Sequence, residues 1–467
     1  MRIPNVTTNR GRHRENHHWL RPLSLALFLL LPLAAAADET DRIAELEARV
    51  AELEALVRTL AAERETPAPE APVADTVATT DETRVEAIAE REVEEGLAAW
   101  RAEQEAADRK HSYRFGGYIK TDVIYSDYDG GVVANKSPGR DFYIPATVPV
   151  GNEGESYLDL HAKESRFFFR SDHHLDSGDE ITTYLELDFL VGDNGDERIS
   201  NSYQARMRHA YFTWNRWLFG QTWLTFQNVA VLPEALDFIG PSEATVFGRQ
   251  AMVRYTNGPW QFAVENPETT ITPFGGGDRI EASDGHVPAF VARYNLKRDW
   301  GHFTVAALAR QLRYENAAEG IDSDSTGYGL SLSGLHRVGA RDDFRWMATA
   351  GSGLGRYLGL NAANGAVLDA DGELENIDSW AAFAAYRHWW SANLRSSAVL
   401  GYLDVDNDTE LTGLDATSEV TSFHLNLIYS PLPKLDLGVE YIFANREIES
   451  GEDGDMNRFQ FSAKYAY

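Results

Sequence analysis

The segment NRFQFSAKYAY, residues 457–467, decides how the rest of the sequence is interpreted. Apolar residues occupy every second position from Phe459 to Tyr467, and polar residues fill the alternate positions from Arg458 to Lys464. Because successive side chains of a β-strand point to opposite faces, this alternation predicts a strand with one apolar and one polar face. The chain therefore ends in a strand whose two faces meet different surroundings.

The same alternation recurs in earlier parts of the chain, in runs of about ten residues, the length that a tilted transmembrane strand requires. Charged residues recur in the middle of the polar faces, which suits a water-filled lumen better than a dry core. The sequence therefore predicts an all-β fold over residues 111–467, an antiparallel transmembrane β-barrel. The clearest runs are 115–125, 180–189, 422–429 and 435–443.

The connections between these runs alternate between short turns and long loops. In barrels of this kind the short turns face the periplasm and the long loops face outwards. Eight long connections imply eight hairpins and 16 strands, with 14 and 18 as the nearest alternatives, since single-chain barrels have even strand numbers. The long connections are 127–155, 191–202, 227–246, 267–286, 314–325, 357–376, 405–418 and 447–454.

Tryptophan residues cluster beside the short turns. Aromatic girdles at the membrane interface have this placement, whereas ordinary core tryptophans do not. Six positions are therefore predicted to form such a girdle: Trp214, Trp217, Trp260, Trp300, Trp389 and Trp390.

The N-terminus carries an export signal over residues 1–37. An arginine-rich start precedes the apolar run 23–33, and Ala35–Ala37 has the pattern of a cleavage site. A transmembrane helix needs roughly 20 apolar residues, so this run is too short to span a bilayer. The mature chain is predicted to begin at Asp38, and no later run has the length of a membrane-spanning helix.

Three segments are predicted between the signal and the barrel. Residues 38–65 form a coiled coil, residues 66–80 a linker rich in Pro, Ala and Thr, and residues 81–110 a helical periplasmic segment. A lone amphipathic helix is the alternative to the coiled coil. β-Branched residues at a and Leu at d favour two strands in that coiled coil. Its seam is Ile43, Leu46, Val50, Leu53, Val57 and Leu60.

Composition excludes several classes of function. The formal net charge of −29 argues against nucleic-acid binding, which needs a basic surface. The chain has no cysteine, so an exported fold must be stable without disulfides. No nucleophile elbow, zinc-protease motif or phosphate-binding loop occurs. The sequence therefore predicts no enzyme, no cofactor and no metal site, against the competing hypothesis of a barrel protease or lipase.

Four segments resemble the DcaP-like outer-membrane porins. They are GGYIKTDVIYS (116–126), ESRFFFRSD (164–172), RMRHAYFTWNRWLFGQTWLTF (206–226) and LDFIGPSEATVFGRQAMVRYT (236–256). The resemblance implies a homotrimer of 16-stranded barrels with a periplasmic coiled coil, passing small anions such as dicarboxylates. The last strand ends on the aromatic residue Tyr467, and in this it resembles the C-terminal signal by which bacterial outer-membrane proteins engage their assembly machinery.

Arginines at strand positions are the candidate pore-lining residues. Arg206 and Arg208 are two apart and are predicted to face the lumen together with Ala210. A guanidinium stays charged and matches a carboxylate bidentately, so a set of them would attract carboxylate solutes. The alternative is that each arginine pairs with a nearby carboxylate and only holds a loop. The full set is Arg166, Arg170, Arg206, Arg208, Arg249, Arg254 and Arg293.

Residues 227–246 are predicted to fold inwards as the constriction loop, with Glu234, Asp237 and Glu243 as its carboxylates. An outward loop in a trimer contact is the alternative. The functional hypothesis is a passive channel for small anionic solutes in the bacterial outer membrane, in contact with lipid and lipopolysaccharide. A structural protein that reaches peptidoglycan through its coiled coil, and a general or phosphate-type porin, are the alternatives.

Overall fold

The structure, a computed structural model, describes residues 110–191 and 200–467. The predicted signal peptide (1–37), coiled coil (38–65) and linker (66–80) lie outside the described residues, as does the helical segment 81–110 except for Lys110. Within the described part of the chain, no helix is long and apolar enough to cross a membrane.

The main sheet has 17 strands, and all pairings within it are antiparallel. Strand β1 (His111–Tyr128) pairs with β21 (Asp453–Ala466), which closes the sheet into a barrel. Strands β2 (Glu155–His161) and β3 (Arg166–His174) pair with the two halves of β1 and share one position in the wall. The wall thus has 16 strand positions, which confirms the predicted 16-stranded antiparallel barrel.

The remaining wall strands follow in chain order, each paired with its predecessor. They are β4 (Glu180–Asp188), β5 (Arg206–Trp214), β6 (Trp217–Trp223), β7 (Arg249–Asn257), β8 (Trp260–Glu265), β11 (Ala289–Arg298), β12 (Gly301–Asn316), β13 (Ile321–Val338), β14 (Asp342–Ser352), β17 (Asp378–Trp389), β18 (Leu394–Asp406), β19 (Thr417–Leu432) and β20 (Leu435–Ile448).

A second, four-stranded sheet joins the loop that follows β8 to the loop that follows β14. Its strands have three or four residues each, too few for alternation to reveal them in the sequence. It consists of β9 (Thr269–Thr272), β10 (Ile280–Ala282), β15 (Ala366–Leu368) and β16 (Leu374–Asn376), and the two short α-helices of the described loops are α1 (Pro138–Asp141) and α2 (Thr409–Thr412).

The two faces of the wall have opposite polarity. On β1 the outward Phe115 is 79% exposed, whereas the inward Lys120 and Asp122 are 4% and 1% exposed. Apolar residues thus lie outside and charged residues inside, the reverse of a soluble protein and the arrangement that a bilayer requires.

The prediction of long loops at 314–325 and 447–454 is wrong. Strands β12 and β13 continue to a turn at residues 317–320, and β20 and β21 continue to a turn at 449–452. Where a strand extends beyond the apolar band of the bilayer, both of its faces meet water. The alternation of apolar and polar residues therefore stops before the strand does, as in IDSDS at 321–325.

Five of the six predicted girdle tryptophans are exposed beside short turns: Trp214, Trp217, Trp260, Trp300 and Trp390. The exception is Trp389, which lies next to two inward guanidinium groups. The guanidinium carbons of Arg387 and Arg395 lie 5.7 and 5.2 Å from the centre of its ring. Trp389 therefore supports buried charges inside the barrel rather than the membrane interface.

Candidate functional site

Three long connections fold into the barrel and contact one another: residues 129–154, 224–248 and 353–377. The backbone N–H of Tyr143 donates to Asp237 at 2.8 Å, and Val246 forms a β-bridge with Leu358. Loop 224–248 also reaches the far wall, where the N–H of Leu236 donates to Glu440 on β20 at 2.6 Å. The segment predicted as the constriction loop therefore lies inside the barrel and not in an outward contact.

Glu234 attaches this loop to two wall strands. Its carboxylate lies 2.7 Å from a guanidinium nitrogen of Arg395 on β18 and 3.1 Å from one of Arg387 on β17. The side chain of Arg395 is only 8% exposed, so water competes weakly with these ion pairs. Glu234 therefore holds the loop to the wall.

Asp237 and Glu243 are also bound within the packed interior. Asp237 accepts from the backbone N–H of Tyr143 and from two N–H groups of its own loop. Glu243 is fully buried, and one of its oxygens accepts from the Ser422 hydroxyl on β19 at 2.6 Å. None of the three predicted loop carboxylates is free of such bonds, and all three position the loop.

Two glycines make this close approach possible, and the sequence prediction missed them. A Cβ on Gly401 would collide with the carboxylate of Glu243, and a Cβ on Gly438 would lie 2.8 Å from a methyl group of Leu236. Glycine inside a strand often marks a place where another part of the chain comes close. That signal was present in the sequence at both positions.

The attachment through Glu243 is expected to weaken as the pH rises. Burial raises the pKa of the Glu243 carboxyl above its ordinary value of 4.5, because an ionised carboxylate would lose its hydration there. A raised pKa means that the attachment is strongest in acid and is lost as the pH rises through the raised value. The hydrogen bond from Ser422 and the nearby His424 act in the opposite direction, but burial has the larger effect on this pKa.

Current fluctuations recorded between pH 5 and 9 test this expectation, since a loosened loop makes the ion path irregular. Fluctuations should grow with pH in the native chain and grow less in Glu243→Gln, which cannot ionise. Glu319→Gln, on the exposed turn 317–320, is the control and should behave like the native chain. Fluctuations that grow towards acid would contradict the assignment.

Four of the predicted arginines have carboxylate partners. Arg208 is 1% exposed and lies 2.7 Å from both Glu186 and Asp188. The other three form ion pairs of 2.6–3.5 Å, and these are Arg166 with Glu186, Arg170 with Asp172 and Arg206 with Asp188.

A β-bulge shifts the phase of strand β5. Leu187 pairs with Met207 but Glu186 pairs with His209, so Arg208 is an extra residue. Arg208 and His209 are therefore both buried on the inner side, and the alternation changes phase after them. Ala210 pairs with Leu185, which is 43% exposed on the outer face. The prediction that Ala210 faces the lumen is therefore wrong.

Arg249, Arg254 and Arg293 differ from the paired group. Within residues 110–191 and 200–467, none of them has a carboxylate at ion-pair distance. Arg249 lies 4.6 Å from the centre of the Trp223 ring, and Arg254 makes one long bond of 3.5 Å to the Trp223 carbonyl. Arg293 donates to neutral oxygens of Gln227, Asn228 and Asn295. Among the described residues, no carboxylate is bonded directly to any of these three guanidinium groups inside the barrel.

Two of the three, Arg254 and Arg293, line a cavity of about 1030 Å³. The turns 215–216 and 258–259 also line it, so it lies at the short-turn end of the barrel. Its wall includes Arg216, Lys297 and Arg298 but no Asp or Glu. The barrel thus contains a positive region at one end, built mainly from β5 to β11.

A closed 16-stranded wall with an apolar outer face and a charged inner face defines a transmembrane β-barrel protein. A family model described as DcaP outer membrane protein matches residues 100–467. The chain therefore belongs to the DcaP outer membrane protein family, which confirms the resemblance found in the sequence.

The solved structure of one outer membrane channel agrees with this fold. The outer membrane channel DcaP of Acinetobacter baumannii superposes with a TM-score of 0.63 at 23% identity, covering 77% of this chain and 98% of that chain. A loop-deletion mutant of OmpT, an outer membrane protein of Vibrio cholerae, superposes with a TM-score of 0.47 at 11% identity, covering 77% and 100%. A search of curated protein sequences returned no match.

Proposed function

We propose that this protein is an outer-membrane channel through which small anionic solutes, dicarboxylates in particular, diffuse passively. The observation that carries the proposal is a set of three guanidinium groups inside the barrel that form no ion pair with a described carboxylate: Arg249, Arg254 and Arg293. A cation without a fixed counter-ion attracts mobile anions over about one Debye length, roughly 8 Å at physiological salt.

Dicarboxylates fit the spacing of two of these arginines. Arg254 on β7 and Arg293 on β11 are separated by one strand, about 10 Å of sheet width, and their long side chains reach into the same cavity. One solute molecule with two carboxylates can therefore contact both guanidinium groups. A monocarboxylate contacts only one, so it should be held less well.

The quaternary structure is part of the same proposal. Aromatic rings contact one another on the outer face of strands β5 to β7. Phe212 stacks on Phe219 at 5.2 Å, and Trp217 meets Tyr255 at a tilt, with 4.8 Å between the ring centres. Such a rigid aromatic surface suits contact with other copies in a homotrimer, with lipid and lipopolysaccharide around it. Engagement of the assembly machinery through Tyr467, and of peptidoglycan through the segment before the barrel, completes the proposed set of partners.

The reversal potential in a salt gradient across a planar bilayer tests the proposed selectivity. The native channel should prefer anions, and the triple variant Arg249→Ala, Arg254→Ala, Arg293→Ala should lose most of that preference. Arg341→Ala removes a charge from the exposed turn 339–341 and is the matched control, with no expected effect. Cation preference of the native channel would refute the proposal.

A further inference from the structure

Several polar groups around the cavity of about 1030 Å³ have no protein partner among the described residues. The side-chain oxygen of Gln261 is buried and accepts no hydrogen bond, and the amide nitrogen of Gln227 is buried and donates none. The Nε of Arg254 likewise has no acceptor. Gln227 is only 1% exposed, so bulk water does not compensate for its missing partner.

Strand register brings these groups together with two hydroxyls. Gln261 is the direct partner of Thr256 on β7 and of Arg293 on β11. Leu218 is the direct partner of both Thr213 on β5 and Arg254 on β7. No hydrogen bond joins the hydroxyl of Thr213 or Thr256 to another described residue. Guanidinium, amide and hydroxyl groups thus share one patch of the cavity wall.

This combination is suited to more than a bare carboxylate. An anionic group needs only the guanidinium groups. It would leave the buried side-chain oxygen of Gln261 without a partner and the two half-buried hydroxyls without a bond to the solute. Leaving buried polar groups unpaired is costly, and a site that carries them discriminates against ligands that cannot bond to them. A ligand with hydroxyl groups next to its carboxylate can satisfy both kinds of group.

We propose that this cavity is a binding site for polyhydroxylated organic acids of the sugar-acid type. The site rests on the proposed function, since the solute must enter the barrel as an anion. The two carboxylates of a sugar diacid contact Arg254 and Arg293, one each, and the hydroxyls along the carbon chain bond to Gln261, Thr256, Thr213 and Gln227. A six-carbon acid occupies only part of the cavity, which leaves room for water to complete its hydration.

Two matched six-carbon diacids test the proposal: glucarate, which carries four hydroxyls, and adipate, which carries none. Each is added to the native protein in a planar bilayer, and the block of chloride current is measured. Glucarate should block at a concentration about tenfold lower than adipate, the difference that the net contribution of about one hydrogen bond supplies. Equal block by the two acids would overturn the inference and leave the anion preference untouched.

Variants of the cavity wall test whether the stronger block by glucarate arises at this site. In Gln261→Met with Thr256→Val, which keeps side-chain volume and charge, the advantage of glucarate should disappear while the reversal potential stays the same. Thr121→Val, on the outer face of β1, is the control and should keep the advantage. An unchanged advantage in the double variant would overturn the site. If the double variant did not fold, the comparison of the two acids on the native protein would still test the sugar-acid site. Cation preference of the native protein would instead refute the proposed function.

Discussion

Replacement of Glu234 by Gln is expected to release loop 224–248 from the wall and to raise single-channel conductance several-fold. The neutral amide leaves the guanidinium groups of Arg387 and Arg395 without most of their compensation, although Asp343 and Asp436 remain beside them. Breaking a buried ion pair costs about 3–5 kcal/mol. Because 27% of the Glu234 side chain is exposed, about 2–3 kcal/mol is a fairer estimate here.

A loss of that size is enough to populate a detached loop, which no longer occupies the ion path. Single-channel recordings should therefore show larger and less regular current steps. Glu319→Gln removes a carboxylate of the same type from an exposed turn and should leave the steps unchanged. Conductance equal to that of the native channel in Glu234→Gln would contradict the prediction and would mean that the remaining attachments, through Leu236, Asp237 and Glu243, are enough to hold the loop.

Replacement of Arg208 by Ala is expected to reduce the stability of the barrel strongly and to alter its selectivity only slightly. Arg208 is 1% exposed and compensates Glu186 and Asp188, which are 7% and 0% exposed. Its removal leaves two buried carboxylates that share Arg166 and Arg206, at an expected cost of about 3 kcal/mol. The temperature of unfolding in detergent should fall accordingly.

The comparison with Arg254→Ala distinguishes the ion-paired arginines from those proposed to attract anions. Arg254 has no ion pair within the described residues, so its removal should leave the unfolding temperature nearly unchanged while it lowers anion preference. The opposite result, a stable Arg208→Ala with altered reversal potential and an unstable Arg254→Ala, would mean that the paired arginines carry the selectivity. Each variant is thus the control for the other.

The wall of the barrel could be predicted from the sequence because a bilayer imposes alternation on every strand that crosses it. Runs such as 115–125 and 435–443 follow that rule. The count of 16 strands was correct because the eight predicted connections exist, although two of them are short turns. The inward position of residues 227–246 was also predicted. The alternation stops where the strand leaves the bilayer. For this reason the sequence predicts loops at the outer ends of β12, β13, β20 and β21, where the structure has strands.

The partners of the charged groups could not be predicted in the same way. Which arginines are paired depends on strand register, and the bulge at Arg208 changes that register without any local signal of sequence. Glu234 and Arg395 are separated by 161 residues, so only the closed barrel brings them together. Glycines inside strands, such as Gly401 and Gly438, were a sign in the sequence that another part of the chain lies against the wall.

The carbonyl oxygen of Leu236 has a consequence for the biogenesis of the protein. It accepts from Lys120 on the first strand at 2.6 Å and from Gln460 on the last strand at 3.0 Å. One loop residue therefore bonds to both strands at the seam where the two ends of the sheet meet. Before the last hairpin pairs with β1, the Leu236 carbonyl lacks its bond from Gln460. Sealing of the seam and docking of the loop should consequently occur as one cooperative event at the end of assembly.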